Sequence, residues 1–141
     1  MAVPTGSGTE TLHSGLFEDV NATATTIITG VQHHVYTVLS VIVCCKAVHA
    51  SANGVHLRLS AYDSLAGATA QDITLGIWTA SLNSTFVWND KFSFFGTDPS
   101  ANTQAGRAAQ GTTTAQLLKI STDAGDCKVD VAVTFIDQDW S

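Results

Sequence analysis

Five histidines are the side chains in this sequence best suited to bind a transition metal or transfer a proton, and they lie at positions 13, 33, 34, 49 and 56. Zinc sites bring their ligands together at short spacings, such as His-Glu-x-x-His or paired cysteines. Neither spacing occurs here, and His33 and His34 would point to opposite faces of a strand. We therefore expect no metal site and no cofactor, and we place the histidines in turns and at rims.

Two acidic segments, 123–126 (Asp-Ala-Gly-Asp) and 137–139 (Asp-Gln-Asp), offer oxygen ligands to a hard cation. Neither alone supplies the six or more oxygens that calcium takes, so a calcium site would have to be built across loops or subunits. The serines lack a Gly-x-Ser-x-Gly motif, and the chain has no glycine-rich phosphate loop. We therefore expect no catalytic residues and no enzymatic activity.

Three cysteines, Cys44, Cys45 and Cys127, are an odd number, and two of them are adjacent. Neighbouring residues of a strand point to opposite faces, so a disulfide between Cys44 and Cys45 would be strained. We expect three reduced, buried thiols that behave as small hydrophobic side chains. A disulfide from Cys127 to one of the pair is the alternative.

Aromatic side chains could form a platform that stacks on sugar rings, or they could fill the core or a subunit interface. We favour the core or an interface. The residues concerned are Tyr36, Tyr62, Trp78, Trp88 and Trp140.

The low charge of the chain points to contacts with other proteins. Its 141 residues fit one domain, only 13% of them are charged, and the net charge is −6, whereas about 25% is typical. With six Lys and Arg residues and no basic cluster, nucleic acid is a poor candidate partner. The amino terminus has no basic, apolar signal pattern, and no run of about 18 apolar residues occurs. We expect synthesis in a cytoplasm, no membrane partner, and a surface partly covered by protein.

The element around which the fold should be built is a strand at 34–45, rich in β-branched and aromatic residues. Strict alternation would place Val35, Val41 and Val43 on one face and Tyr36 and Ile42 on the other. Both faces are mostly apolar, which indicates that a second sheet or a partner covers each side. A buried helix is the alternative, but the residue types favour a strand.

The remaining segments predict an all-β fold: a single-domain β-sandwich of jelly-roll or Greek-key type. Residues 1–9 form an extended arm that packs along another chain or along the edge of its own sheet, and residues 10–141 form the sandwich.

Asn53 and Gly54 suit a hairpin turn, and 84–95 suits a hairpin with Asn89-Asp90 at its tip or one long strand with a bulge. The segment 97–114 is a long loop of the kind that is functional, disordered or bound to a partner. The other predicted strands are 10–16, 22–29, 55–62, 72–78, 115–121 and 127–136.

Four segments, 1–10, 34–40, 84–92 and 135–140, together resemble small virion structural proteins of tailed bacteriophages, especially phages of marine and cyanobacterial hosts. Within that group the chain is most similar to head decoration, or cement, proteins. The resemblance implies a β-sandwich on the outer capsid surface, often a homotrimer, that clamps neighbouring major capsid protein subunits and stabilises the shell. The chain departs from the pattern at 44–49 and 97–114. Another virion component, such as a tail, vertex or head-fibre protein, and a carbohydrate-binding β-sandwich are the alternatives.

Contacts with neighbours are expected from three parts of the chain: the arm, the carboxyl end and the long loop. The candidate interface residues are Val3, Pro4, Thr5, Gly6 and Ser7 in the arm, Asp139 and Trp140 at the carboxyl end, and Asp98, Pro99, Gln104 and Arg107 in the loop.

Overall fold

The computed structural model describes residues 9–62, 70–97 and 115–139, and the regular elements in these ranges are all strands. None of these segments forms a helix long and apolar enough to cross a membrane. The strands are β1 (Thr9–Val20), β2 (Thr25–Thr29), β3 (His34–Ala47), β4 (Gly54–Tyr62), β5 (Ala70–Thr79), β6 (Thr85–Trp88), β7 (Phe92–Phe95), β8 (Leu117–Thr122) and β9 (Lys128–Asp139).

The strands form two antiparallel sheets. The five-stranded sheet has the order β1-β9-β3-β6, with β7 also paired to β3, and the four-stranded sheet has the order β2-β8-β4-β5. Because the chain moves back and forth between the sheets, most neighbours in a sheet are distant in sequence, as in a jelly roll, and β4 and β5 are the consecutive pair. The predicted fold class, an all-β sandwich of jelly-roll or Greek-key type, is confirmed. Strand β1 begins at Thr9, the last residue assigned to the arm.

Strand β3 is the centre of the five-stranded sheet, as predicted, but its faces do not alternate as predicted. Tyr36 and Val38 point into the core, and after a bulge between Val38 and Ser40 the buried residues become Val41 and Val43. A bulge inserts one residue and reverses which side chains face inward. Within the chain the second sheet covers only the inner side of β3, because Ile42 is 40% exposed on the outer side, and the covering of that outer side by a partner stays a prediction.

Strands β6 and β7 are two parts of one interrupted strand. Both run antiparallel to β3: β6 pairs with Val41–Cys44, and β7 pairs with Val35–Val38. The hairpin at 89–90 is therefore wrong, and the alternative of one long irregular strand is confirmed. The indole Nε1 of Trp88 donates to the carbonyl oxygen of Asp90 at 3.0 Å, which stabilises the interruption.

Gly54 is required because its backbone lies close to the Asp123 carboxylate, and not because it forms a hairpin turn. The segment 48–53 joins β3 of one sheet to β4 of the other, so the predicted hairpin at Asn53-Gly54 is wrong. The amide of Gly54 donates to Asp123 Oδ2 at 2.9 Å, and a β-carbon at Gly54 would overlap that carboxylate.

The core lies between the sheets and consists mainly of β-branched and leucine side chains. Burying each large side chain of this kind contributes about 1.5–3 kcal/mol to the free energy of folding. The fully buried members include Val38, Val41, Val55, Leu57, Leu118, Val129 and Val131.

Candidate protein-docking surface

The outer face of the five-stranded sheet is the largest feature that the core does not explain. Cross-strand pairing places Leu16, Ala132, Ile42 and Val87 in one row across β1, β9, β3 and β6. Residues that pair directly share a face, and Val43, next to Ile42, points into the core. This row therefore points away from the core. We call the side of the sheet that carries it the outer face.

Bulky apolar side chains are exposed at both edges of the outer face. On β1, Leu12 and Leu16 are each 67% exposed, and on β6 and β7, Val87 and Phe95 are 51% and 44% exposed. Phe95 belongs to this face because it pairs with Val35, which in turn pairs with the exposed Gln138. A shallow hollow lined by Val35, Ser93, Phe94 and Phe95 opens beside it.

Between these apolar residues the outer face carries hydroxyl groups. The Thr37 and Ser93 side chains lie 2.9 Å apart, Oγ1 to Oγ, and are hydrogen-bonded. Ser14, Thr134 and Ser40 form a further row. In the described rows from Leu12 to Leu16 the face contains no charged residue.

The charges lie at the ends of the face. Glu10 lies at one end, in the row of Gln138. At the other end the Lys46 Nζ lies 3.0 Å from Asp19 Oδ1 and 3.8 Å from Asp130 Oδ1. The hydrogen bond from Lys46 holds the pKa of the Asp19 carboxyl below its ordinary value. A low-charge centre with a charged margin is the pattern of a protein-docking surface.

The opposite surface, on the four-stranded sheet, has its charges paired within the chain. His56 Nε2 donates to Asp123 Oδ1 at 2.6 Å, and Lys119 Nζ lies 3.5 Å from Asp72 Oδ1. The hydrogen bond from His56 is the main cause that holds the pKa of Asp123 below its ordinary value. A hydrogen bond from Ser60, followed by the Lys119 charge, does the same for the pKa of Asp72.

The acidic segment 137–139 lies beside a histidine. His34 Nδ1 donates to Asp137 Oδ1 at 2.6 Å, and its Nε2 lies 3.7 Å from Asp139 Oδ2. Burial, followed by the charge of Asp137, raises the pKa of Tyr36 to about 12. Within the described ranges, no group of three or more His, Cys, Asp or Glu residues is arranged to hold a metal ion. Asp139, a candidate interface residue, contacts His34 of its own chain.

The cysteines are unpaired, and they differ in exposure. Cys45 and Cys127 are buried, but Cys44 is exposed on the outer face, so the prediction of three buried thiols is wrong for Cys44. The bulge in β3 explains the difference, because it turns odd-numbered residues inward after position 40. Burial raises the pKa of both Cys45 and Cys127.

Of the five aromatic residues singled out from the sequence, Tyr36 is buried in the core and Trp78 and Trp88 are partly buried against it, which agrees with the core interpretation for these three, whereas the Tyr62 side chain and Trp140 are not described. Trp78 stacks on Phe86 with ring centroids 4.4 Å apart, and Tyr36 stacks on Phe94 at 5.3 Å. The Trp88 ring lies against Gly76, where a β-carbon would overlap it. Tyr36 and Phe94 are too deeply buried to stack on a sugar ring, whereas Phe86 is 39% exposed.

Most of the interface residues predicted from sequence cannot be compared with this surface. Those outside the described residues are Val3, Pro4, Thr5, Gly6, Ser7, Asp98, Pro99, Gln104, Arg107 and Trp140. Sequence reasoning missed the outer face itself. The sequence feature that could have indicated it is the spacing of Leu12, Ser14 and Leu16. These residues lie on one face of β1, while the opposite face of the strand turns toward the second sheet.

No protein-family model matches the chain, and no curated protein matches it either. Among solved structures, the CBM22-1-GH10 modules of the Clostridium thermocellum endo-1,4-β-D-xylanase 10B, complexed with xylohexaose, are similar, with a TM-score of 0.45 and 12% identity. The match covers 95% of this chain and 26% of that chain.

Proposed function

We propose that this protein is a structural component of a tailed-bacteriophage virion, a decoration protein that docks on the outer surface of the head through its outer face. The observation that carries the proposal is the low-charge outer face, with Leu12, Leu16, Ile42, Val87 and Phe95 exposed. Burying each such side chain against another protein stabilises the complex by about 1.5–3 kcal/mol before the ordering of the partners is subtracted.

The outer face is large enough for a modest contact, which suits binding of many copies to one shell. Four strands about 4.8 Å apart and seven residues of about 3.4 Å rise span roughly 450 Å². A stable interface buries about 800 Å² on each partner. A single outer face is therefore a modest contact, and several copies bound to one shell would hold it by avidity. Because the protein would bind the assembled shell and not dissociated subunits, mass action would stabilise the shell.

The first test is the copy number of the protein in purified particles, measured by quantitative mass spectrometry against the major capsid protein. Hundreds of copies per particle support decoration of the whole head. A few to a few dozen copies would assign the protein to a tail, vertex or fibre, and absence from the particle would refute a virion role. In that last case retention on xylan or other polysaccharides tests the carbohydrate-binding alternative.

A matched pair of variants tests the outer face. Ile42→Glu places a charge at its centre, and Thr74→Glu places the same charge on an exposed position of β5 on the other sheet. We expect Ile42→Glu to lose attachment to stripped heads by at least tenfold and Thr74→Glu to attach like the unmodified protein. Circular dichroism and melting verify that both variants fold. Equal attachment of both folded variants would exclude the outer face as the docking surface.

A further inference from the structure

We propose that copies of this chain associate edge to edge, with β1 of one copy adding to the β6–β7 edge of the next. Both are end strands of the five-stranded sheet in the described part of the chain. Such an edge presents backbone N–H and C=O groups that can pair with another strand. The inference concerns self-association and stands apart from the virion role.

The two edges match in length. Strand β1 has 12 residues, and its pairing with β9 is regular from Thr9 to Phe17. The β6–β7 edge runs from Thr85 to Phe95 with a short interruption. The edges of the other sheet are less suited, because β2 has only five residues, and the register shift of β5 lies in the middle of the strand, opposite Leu57 and Arg58, whereas that of β1 lies near its end, after Phe17.

Both edges carry few of the features that usually prevent association: the bulge of β1 lies after Phe17, and the β6–β7 edge has one interruption. Natural edge strands are protected by Pro, by Lys, by bulges or by inward-pointing charges. Residues 9–17 contain no Pro, Lys or Arg, and residues 85–95 contain no Pro and a single Lys, Lys91. Each edge instead has two exposed apolar side chains on the outer face, Leu12 and Leu16 on β1 and Val87 and Phe95 on β6 and β7. Joining the edges would bring all four side chains next to one another on a continuous outer face.

Charge selects a head-to-tail contact over a symmetric one. Strand β1 carries Glu10, Glu18 and Asp19 and no Lys or Arg, whereas the β6–β7 edge carries Asp90 and Lys91. Pairing β1 with β1 of a second copy would bring the Glu10 and Glu18 carboxylates of both copies to one seam, beside the Asp19 carboxylates that Lys46 already pairs, and like charges on paired strands are destabilising. Pairing β1 with the nearly neutral β6–β7 edge avoids this repulsion. We therefore expect β1 of one copy to pair with the β6–β7 edge of a second copy.

A head-to-tail contact has a structural consequence. Such contacts generate a ring if the rotation between copies closes, and an open filament if it does not. In either case the sheets of neighbouring copies become continuous, and their outer faces form one larger low-charge surface.

Cross-linking of cysteine variants tests the inference. In a Cys44→Ser background, Leu16→Cys places a thiol on the β1 edge and Val87→Cys places one on the β6 edge. With a short flexible bismaleimide at high protein concentration, we expect the mixture of the two variants to form cross-linked dimers at least tenfold more efficiently than either alone. The control mixture of Leu16→Cys with Thr74→Cys, a residue on β5 of the other sheet, measures random collision.

Two results would overturn the inference. Efficient cross-linking of Leu16→Cys with itself would show a symmetric β1 contact, and cross-linking of the mixture at the control level would show that the edges do not meet. Light scattering of the unmodified protein at the same concentration must give a mass above that of one chain. If the protein does not attach to heads but the Leu16→Cys and Val87→Cys mixture still cross-links, the result counts against the proposed function and not against this contact.

Discussion

Gly30 and Gly96 let two backbone segments touch at one end of the sandwich, and Gly30→Ala should separate them. A β-carbon at Gly30 would overlap the carbonyl oxygen of Gly96, and one at Gly96 would overlap the carbonyl oxygen of Val31. The obstructing atoms belong to the backbone, so no change of rotamer can make room. One of the two segments must therefore move.

Three backbone hydrogen bonds depend on this approach. They run from the Gly30 amide to the Gln116 carbonyl at 2.8 Å, from the Gln116 amide to the Gly96 carbonyl at 2.9 Å, and from the Gly96 amide to the His34 carbonyl at 2.8 Å. Each contributes about 0.5–1.5 kcal/mol. Loss of most of this set lowers the free energy of unfolding by about 2–4 kcal/mol, which for a chain of this size lowers the melting temperature by about 10 °C.

Urea unfolding followed by tryptophan fluorescence measures the effect, with thermal melting as a second readout. The control is Gly125→Ala, because a β-carbon at Gly125 meets no atom within 4 Å. That change should alter stability by no more than about 1 kcal/mol. If Gly30→Ala unfolds at the same urea concentration as Gly125→Ala, the two segments are not held as closely as the structure places them.

Three further predictions concern ionisable groups. The pKa of Asp123 lies below its ordinary value of 3.8. Its stabilising contribution is therefore present above pH 3.8 and is lost as the pH falls through the lowered value. The free energies of unfolding of Asp123→Asn and of the unmodified protein should differ at pH 6 and converge toward pH 3. Because the pKa of Tyr36 is raised from 10.0 to about 12, its contribution to stability is present below pH 10 and is lost as the pH rises toward 12. Ultraviolet titration should show one tyrosine that ionises late, and Tyr36→Phe should remove that step. Of the three cysteines only Cys44 is exposed, so a thiol reagent should label one site in the folded protein and three in denaturant, and Cys44→Ser should abolish the fast reaction.

The sequence was a good guide to the strands because their composition is local information. The segment around Tyr36 and Val41 is too β-branched for a helix, and it is indeed the central strand. The faces of that strand could not be predicted, because the bulge after Val38 depends on how β3 pairs with β9. Likewise, Asn89-Asp90 suits a hairpin by local preference, but β6 and β7 both pair with β3, so the chain continues instead of turning back.

The outer face was harder to predict than the strands because it is assembled from residues far apart in sequence. Leu16, Ala132, Ile42 and Val87 form one row only after four strands from different parts of the chain have paired. The low charge of the whole chain predicts that part of its surface is covered by other protein. It could not indicate which sheet carries that surface, because this depends on where the few charges lie in the fold.

The difference between the two sheets has a consequence for orientation. On the four-stranded sheet, the charged groups already have partners within the chain, as in the His56–Asp123 and Lys119–Asp72 contacts. Partners for these groups on another protein would have to compete with contacts already made, whereas the aliphatic groups of the outer face have only water to lose. On this reasoning the proposed docking would place the five-stranded sheet against the partner and the four-stranded sheet toward solvent, with Ile77 of β5 left as an exposed apolar side chain on the latter. Edge-to-edge association would preserve this orientation from copy to copy, because strand pairing keeps the outer faces of neighbouring sheets on the same side.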